Sequence, residues 1–337
     1  NLTEVCSAIK AYIDNPDIPT DELMQYVKGP DFPTGGIIRG ISGIRDAYET
    51  GRGRIVIRSK TNIEVNDSGR ETIVVTETPY HFNKKEMIEN IAELVENKKV
   101  DGISYINDES DRSGTRVVIR LKIGAVANVV LNNLCKYSQL QSSFSVNNIA
   151  LVDGRPRLLS LKDLIKYFVR HRHEVVIRRT KFDLEKAKKR AHILEGLLKA
   201  LDIIDEIINL IRSSKTPQEA HDGLMTQFGF SSEQSDAIVE MRLRQLTGLE
   251  RTKLQAEYDE LAALIKHLEE VLGNESLQYA IIKDEMTELI DKFGDERRTV
   301  IEPAEGDFNP EDFYANEDVV ITISHLGYIK RTPLTEY

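Results

Sequence analysis

The sequence predicts an α+β body with a four-stranded sheet, then a long antiparallel coiled coil with a small all-α tip, then the first strands of a further β unit. Three observations carry this. Residues 161–211 place apolar side chains at Leu184, Ala187, Ala191, Leu194, Leu198 and Leu201. Residues 254–293 do the same at Leu254, Tyr258, Leu261, Ile265, Leu268 and Leu272, and again at Ile282, Met286, Leu289 and Phe293. Alternating steps of three and four are the spacing of a coiled-coil seam. Ahead of these stretches, short β-branched runs between turn residues alternate with amphipathic segments, the pattern of a sheet with helices on it. Beyond them, residues 318–330 open a new β pattern.

The elements follow in order. Residues 2–13 and 21–27 read as short helices, Thr20 capping the second. A glycine-dense stretch, 29–53, contains a short helix at 44–50. Strands at 54–65 and 71–78 are joined by Asn66-Asp67-Ser68-Gly69, hairpin turn chemistry. Asn83 caps a helix over 84–97, with Glu86 placed for a capping box. Strands at 102–106 and 115–122 and a helix at 125–136 complete a sheet of about four strands. Ser160 with Asp163 starts the outgoing helix, which at ~1.5 Å per residue runs roughly 75 Å. Thr216-Pro217-Gln218-Glu219 and Ser231 with Gln234 open short helices of a knob. Thr247-Gly248-Leu249-Glu250 ends one helix and starts the return arm, which Gly273-Asn274 bends without breaking. The resulting scheme is body 1–158, outgoing helix 159–213, knob 214–250, return helix 251–298, acidic linker 299–317 with Pro303 and Pro310, and the new β unit 318–337.

Composition narrows the function. A net charge of −10 excludes a uniformly basic DNA-coating protein, and no apolar run approaches the ~18 residues of a membrane span. No secretory signal pattern opens the chain, and a start at Asn1 instead of Met suggests a segment of a longer protein. Cys6 and Cys135 lack metal-site or disulfide spacing, which fits a reducing, cytoplasmic setting. Charge is polarised. Residues 162–192 hold eleven Lys/Arg against four Asp/Glu, while 195–318 hold twelve against twenty-nine. A cationic root attracts a polyanion and an acidic outer half repels it.

Chemistry-bearing motifs are few. No GxxxxGK loop occurs, and Gly51-Arg52-Gly53 lacks the third glycine of a dinucleotide fingerprint. Glu109-Ser110-Asp111-Arg112-Ser113-Gly114 starts like a calcium loop, but its twelfth position is Arg120, so a hairpin turn is the better reading. His171 and His173 face different sides of a helix; His171 with Arg170 and Arg172 is placed to touch a polyanion. Arg39, Arg45, Arg52, Arg54 and Arg58 are the nucleic-acid candidates, guanidinium groups among glycines that let a phosphate backbone approach. Ile238, Met241, Leu243, Leu246 and Leu249 put more apolar surface on a small knob than it can bury alone, which predicts self-association.

Several segments together resemble one family. They are Gly29-Pro30-Asp31-Phe32-Pro33-Thr34, Tyr48-Glu49-Thr50-Gly51-Arg52-Gly53, Asp108-Glu109-Ser110-Asp111-Arg112, Val130-Leu131-Asn132-Asn133-Leu134, Arg190-Ala191-His192-Ile193-Leu194-Glu195-Gly196 and the run from Met241 to Glu250. In this order they are similar to the A subunits of DNA gyrase, a type IIA DNA topoisomerase. Topoisomerase IV, a decatenating relative, shares most of them and stays as an alternative; a non-enzymatic coiled-coil chromosome scaffold is a remoter one. The resemblance implies a tower domain supporting duplex DNA, arms below a DNA gate, an exit gate where two subunits meet, and the start of a β-pinwheel. It implies that no catalytic residue lies here, the nucleophilic tyrosine being upstream, and that Cys135 stands where relatives commonly carry tyrosine. No metal or cofactor is expected on this segment: Mg2+ and ATP act through the gyrase B subunit of an A2B2 holoenzyme. Glu257, Glu260 and Glu269 would hasten release of a transported duplex by repulsion.

Overall fold

Backbone hydrogen bonding divides the described strands into two four-stranded sheets, where the sequence predicts one, and two two-stranded ribbons. The computed structural model describes residues 1–66, 69–242, 248–303 and 318–334, so the Asp67-Ser68 part of the first hairpin turn and most of the acidic linker lie outside the described residues. Two compact units emerge, one of Asn1–Tyr167 with Leu289–Tyr337, the other of Phe168–Glu288.

The first unit begins with α1 (Leu2–Asp14), α2 (Thr20–Tyr26), β1 (Ile37–Arg39), α3 (Ser42–Thr50), β2 (Arg52–Arg58), β3 (Lys60–Val65) and β4 (Glu71–Glu77). It continues with α4 (Lys84–Glu96), β5 (Ile103–Asp108), β6 (Val117–Leu121), α5 (Ala127–Tyr137), β7 (Gln141–Asn147), β8 (Ile149–Val152) and β9 (Arg155–Leu158). Helix α6 (Leu161–Asp202) then enters the second unit, followed by α7 (Ile204–Ser213), α8 (Pro217–Phe228), α9 (Ser232–Val239), α10 (Gly248–Gly273) and α11 (Glu275–Phe293). Strands β10 (Val300–Glu302), β11 (Val319–Ile323) and β12 (Ile329–Pro333) return to the first.

The run read as one strand over 54–65 splits at Ser59. Its amide donates to Leu140 O at 2.7 Å, and its side chain is buried. The two halves therefore enter different sheets, β10-β1-β2-β7 and β3-β4-β6-β5. The second sheet packs Ile73, Val75, Val117, Ile119 and Leu121 against Met87 and Ile91 of α4 and Val130 and Leu134 of α5. β5 and β6 form the hairpin expected of the Glu109–Gly114 motif, closed by an Asp111–Gly114 bridge.

Strand β10 corrects the linker reading. Val300 and Ile301 pair in parallel with Ile37 and Ile38. Three residues are too few to show alternation, and Pro303 with the acidic run behind it hides them. The Gly29–Thr34 motif holds this returning segment. Arg297 reaches Glu4 at 2.7 and 2.8 Å and the carbonyls of Gly29 and Pro30, and the Phe32 amide donates to Thr299 Oγ1 at 2.7 Å. Asp31 accepts from the Arg298 and Thr299 amides at 3.0 and 2.9 Å; burial pushes its carboxyl up, but these amides and Asn1 hold it below the usual range.

In the second unit, contacts between α6 and the α10–α11 arm run in opposite chain order: Asp202–Arg251, Arg190–Glu257, Lys188–Glu269, His173–Gln278, Arg172–Glu285. That is the antiparallel pair the seam predicts. Both arms are interrupted where the sequence pattern predicts continuity. Ile203 separates α6 from α7. Asn274 separates α10 from α11, its side chain capping the second helix by accepting from Ser276 N at 3.0 Å. Buried Gln278 then bridges the gap, donating to Val271 O at 2.8 Å. Most predicted caps hold: Ser160 with Asp163, Thr216 with Glu219, a complete capping box at Ser231 and Gln234, and Asn83, which accepts from Lys85 N at 3.0 Å. Thr20 does not cap α2 but is its first residue, behind an N-cap at Pro19 with no side-chain hydrogen bond. No helix of the described residues is long and apolar enough to cross a membrane.

Candidate nucleic-acid interface

Two glycines bring α3 against β2. A Cβ on Gly43 would lie 2.0 Å from Arg54 O, and one on Gly53 would lie 2.3 Å from Gly43 O. Gly51 ends α3 with φ +81, its amide donating to Ala47 O at 2.9 Å, while its carbonyl accepts from Asn148 N at 2.9 Å. The glycines of Gly51-Arg52-Gly53 are thus spent on helix termination and close packing. This corrects the expectation that they open the backbone to a phosphate.

Packing of Gly53, Ile55 and Ile57 inward turns the alternate residues of β2, Arg52, Arg54, Val56 and Arg58, to the other face. The register extends that face across the sheet, because directly opposed residues share a side. Arg39 lies opposite Val56; Asn147, Ser145, Ser143 and Gln141 lie opposite Arg52, Arg54, Val56 and Arg58. Four of the five candidate arginines therefore meet on one surface beside a row of neutral hydrogen-bonding side chains. The row was missed in the sequence, although Ser143, Ser145 and Asn147 alternate with Phe144 and Val146 at the strand period.

The four arginines differ in freedom. Arg39 is only 16% exposed and pairs with Glu302 at 2.5 Å, and Arg58 Nε donates to Gln141 Oε1 at 2.8 Å. Arg52 and Arg54 are exposed and make no side-chain hydrogen bond or ion pair among the described residues. Arg45 does not join them. It sits on α3 and pairs with Asp21 at 3.3 Å, beside a cleft lined by Met24, Lys28, Ile41 and Ile301. Cys135 is buried, which pushes its thiol up against the opposing pull of Arg58 and Arg39. It is a packing residue. The described residues hold no cluster of three His, Cys, Asp or Glu able to bind a metal ion.

In the second unit, Ile238 is 3% exposed inside a cluster with Leu194, Leu197, Ile207, Leu224 and Phe230, so it packs the knob and is not available at its surface. Met241 packs partly against the same cluster. Leu243 and Leu246 lie outside the described residues, as does the side chain of Leu249. His171 is exposed, whereas His173 stacks on Tyr279 at 4.8 Å and meets Gln278 Oε1 at 2.6 Å. Arg172 is likewise committed, with Arg179, to Glu285; burial would push that carboxyl up, but the two arginines hold it below the usual range. Glu257 and Glu269 are ion-paired to Arg190 at 2.7 Å and Lys188 at 2.6 Å. They lace the helix pair, so two of the three glutamates expected to repel a duplex are neutralised.

An arginine-faced sheet in one unit, with an antiparallel helix pair and a capped helical knob in another, defines a coiled-coil-bearing α+β protein. The family model for the A subunits of DNA gyrase and topoisomerase IV matches residues 1–287. The chain belongs to that family. It is 52% identical over 337 residues to the DNA gyrase A protein of Clostridium acetobutylicum, covering all of this chain and 41% of that protein. It is 50% identical over 338 residues to the DNA gyrase A protein of Streptococcus pneumoniae strain R6, again all of this chain and 41% of the relative. With the Staphylococcus aureus strain MRSA252 protein of the same name, identity is 52% over 339 residues, 38% of that protein. The chain thus spans about two fifths of the length of these relatives.

Proposed function

We propose that this chain is the duplex-supporting sheet, helix pair and exit-gate knob of a gyrase-type A protein. The whole enzyme is then an ATP-dependent type IIA topoisomerase of the cytoplasm that alters DNA supercoiling by passing one duplex through a break in another. The observation that carries the reading is the shared face of Arg39, Arg52, Arg54 and Arg58. Arg52 and Arg54 contact phosphates, while Arg58, held by the neutral Gln141 amide, adds a fixed positive charge behind them and Arg39 is balanced by its pair with Glu302. Such contacts position a duplex without reading its sequence. The knob joins a second copy, with Met241, Leu243, Leu246 and Leu249 as the contact residues. The cleaving tyrosine acts from elsewhere in the protein, and Mg2+ and ATP act through the gyrase B protein.

The test is duplex binding by fluorescence anisotropy across a salt series. Replacing Arg52 and Arg54 together by Ala removes two phosphate contacts, so the slope of log K against log salt falls by about 1.8 and affinity drops. Unchanged affinity and slope would move the DNA surface elsewhere. In a second measurement, no covalent DNA adduct forms on this chain when gyrase B, Mg2+ and ATP are supplied.

A further inference from the structure

The exposed face of β7 does not stop at Asn147. Exposure keeps alternating through Ser143, Ser145, Asn147, Ile149 and Leu151, so the face that begins with the arginines runs on into the β8–β9 hairpin. There it changes character. The register sets Ile149 opposite Leu158 and Leu151 opposite Pro156, four apolar residues on one side of a two-stranded ribbon. Leu151 is 74% exposed, Ile149 55% and Leu158 40%. The other side carries buried Val152 with Arg155 and Arg157, both exposed and without a side-chain partner among the described residues.

The ribbon is firmly built. Its turn, Asp153-Gly154, has positive φ at both residues, +52 and +77, the two-residue form that matches strand twist. Its base is tied beside Arg52: Asn148 N donates to Gly51 O, Leu159 N donates to Asn148 O, and Leu159 O fills the space a Cβ on Gly51 would need. A fixed apolar strip bordering two arginines that have no side-chain partner among the described residues is not accounted for by phosphate contacts alone.

We propose that the β8–β9 hairpin lies in the major groove of the duplex held by the arginine face, with Ile149, Leu151 and Leu158 against thymine methyl groups and sugar edges. This rests on the reading of that face as the duplex-binding surface. Dimensions favour the major groove: two strands with their side chains span roughly 10 Å, which fits a groove about 12 Å wide and not one about 6 Å wide. Arg52 and Arg54 bring the phosphates to the strip, and Arg155 and Arg157 give the ribbon a positive charge of its own. Apolar contact with thymine methyls adds a preference for A·T pairs to a surface whose phosphate contacts position DNA without reading it.

The experiment compares this 337-residue chain with Leu151→Ser and with Arg52→Ala/Arg54→Ala on one duplex and on its uracil-for-thymine counterpart. Leu151→Ser changes an exposed residue, and circular dichroism checks its fold. The proposal expects Leu151→Ser to lose about fivefold in affinity from lost apolar burial, at an unchanged salt slope. It also expects the wild type to bind the uracil duplex more weakly and Leu151→Ser to bind both duplexes alike. If Leu151→Ser binds as tightly as wild type while the arginine variant is impaired, the hairpin is off the DNA and the proposal falls, with the arginine surface intact. If Leu151→Ser instead shifts the sedimentation coefficient and leaves DNA binding unchanged, the strip covers a protein and the proposal falls. If the arginine variant binds normally, the underlying reading fails separately.

Discussion

The Gly43 carbonyl fills the space a side chain on Gly53 would need, and the Arg54 carbonyl fills that of Gly43, which decides what substitution there does. Gly53→Ala would force its new carbon to within 2.3 Å of the Gly43 carbonyl, so α3 must lift from β2. A loss of about 2 kcal/mol is expected, measured by urea unfolding. His221 gives a pH-dependent counterpart. Its Nδ1 faces Asp222 Oδ1 at 3.2 Å, and its Nε2 faces Ser232 O at 3.3 Å and Asp236 Oδ1 at 3.4 Å. Acceptors at both nitrogens suit the imidazolium, and the Asp222 hydrogen bond leads in holding its pKa above the ordinary value. Because the folded value is raised, this stabilisation is full below the unfolded imidazole value of about 6.5 and disappears as pH rises through the folded one. The Tm advantage of wild type over His221→Gln should be largest in acid and shrink in alkali; a difference independent of pH would refute the clasp. At this scale the sequence showed residue types but not partners. Arg39 and Glu302 look unrelated in the chain because 263 positions separate them, and only the parallel pairing of β1 with β10 joins them.

Capping chemistry is local, which is why the starts of α6, α8 and α9 could be placed from Ser160, Thr216 and Ser231 alone. The break at Ile203 gave no sign in the sequence, and Gly273-Asn274 read as a bend and not a break, for the opposite reason. Neither involves proline, and the apolar register runs through the second undisturbed. What holds the second break is tertiary: Gln278 donates to Val271 O and meets His173 from the facing helix. Gln278→Leu keeps the volume but leaves Val271 O and the His173 ring nitrogen short of a partner. It should cost about 1–3 kcal/mol in thermal or urea unfolding, and a neutral result would make the break indifferent to its bridge. Glu257→Gln is expected to matter much less, within about 1 kcal/mol, since its pair with Arg190 is open to solvent. Strands β7, β8 and β9 were legible in principle from alternation over 141–158. The modest hydrophobicity of the Ser-Ser-Phe-Ser-Val run concealed them.

Over the whole molecule, the order of body, helix pair, knob and final β unit was readable because long periodic helices announce themselves, whereas the division into two sheets turned on a single buried serine. Association through the knob belongs to this scale as well. Leu246→Asp should convert a dimer to monomers in analytical ultracentrifugation, and a dimer that persists would place the contact elsewhere. The pairing of Ile37 with Val300 has a further consequence, for biosynthesis. The first sheet cannot be finished until about 260 more residues have been translated after β1, a delay of tens of seconds at roughly 5–20 residues per second. Throughout that interval a nascent chain offers the bare edge of β1 to any passing strand, which makes this edge the place where a chaperone would be needed most.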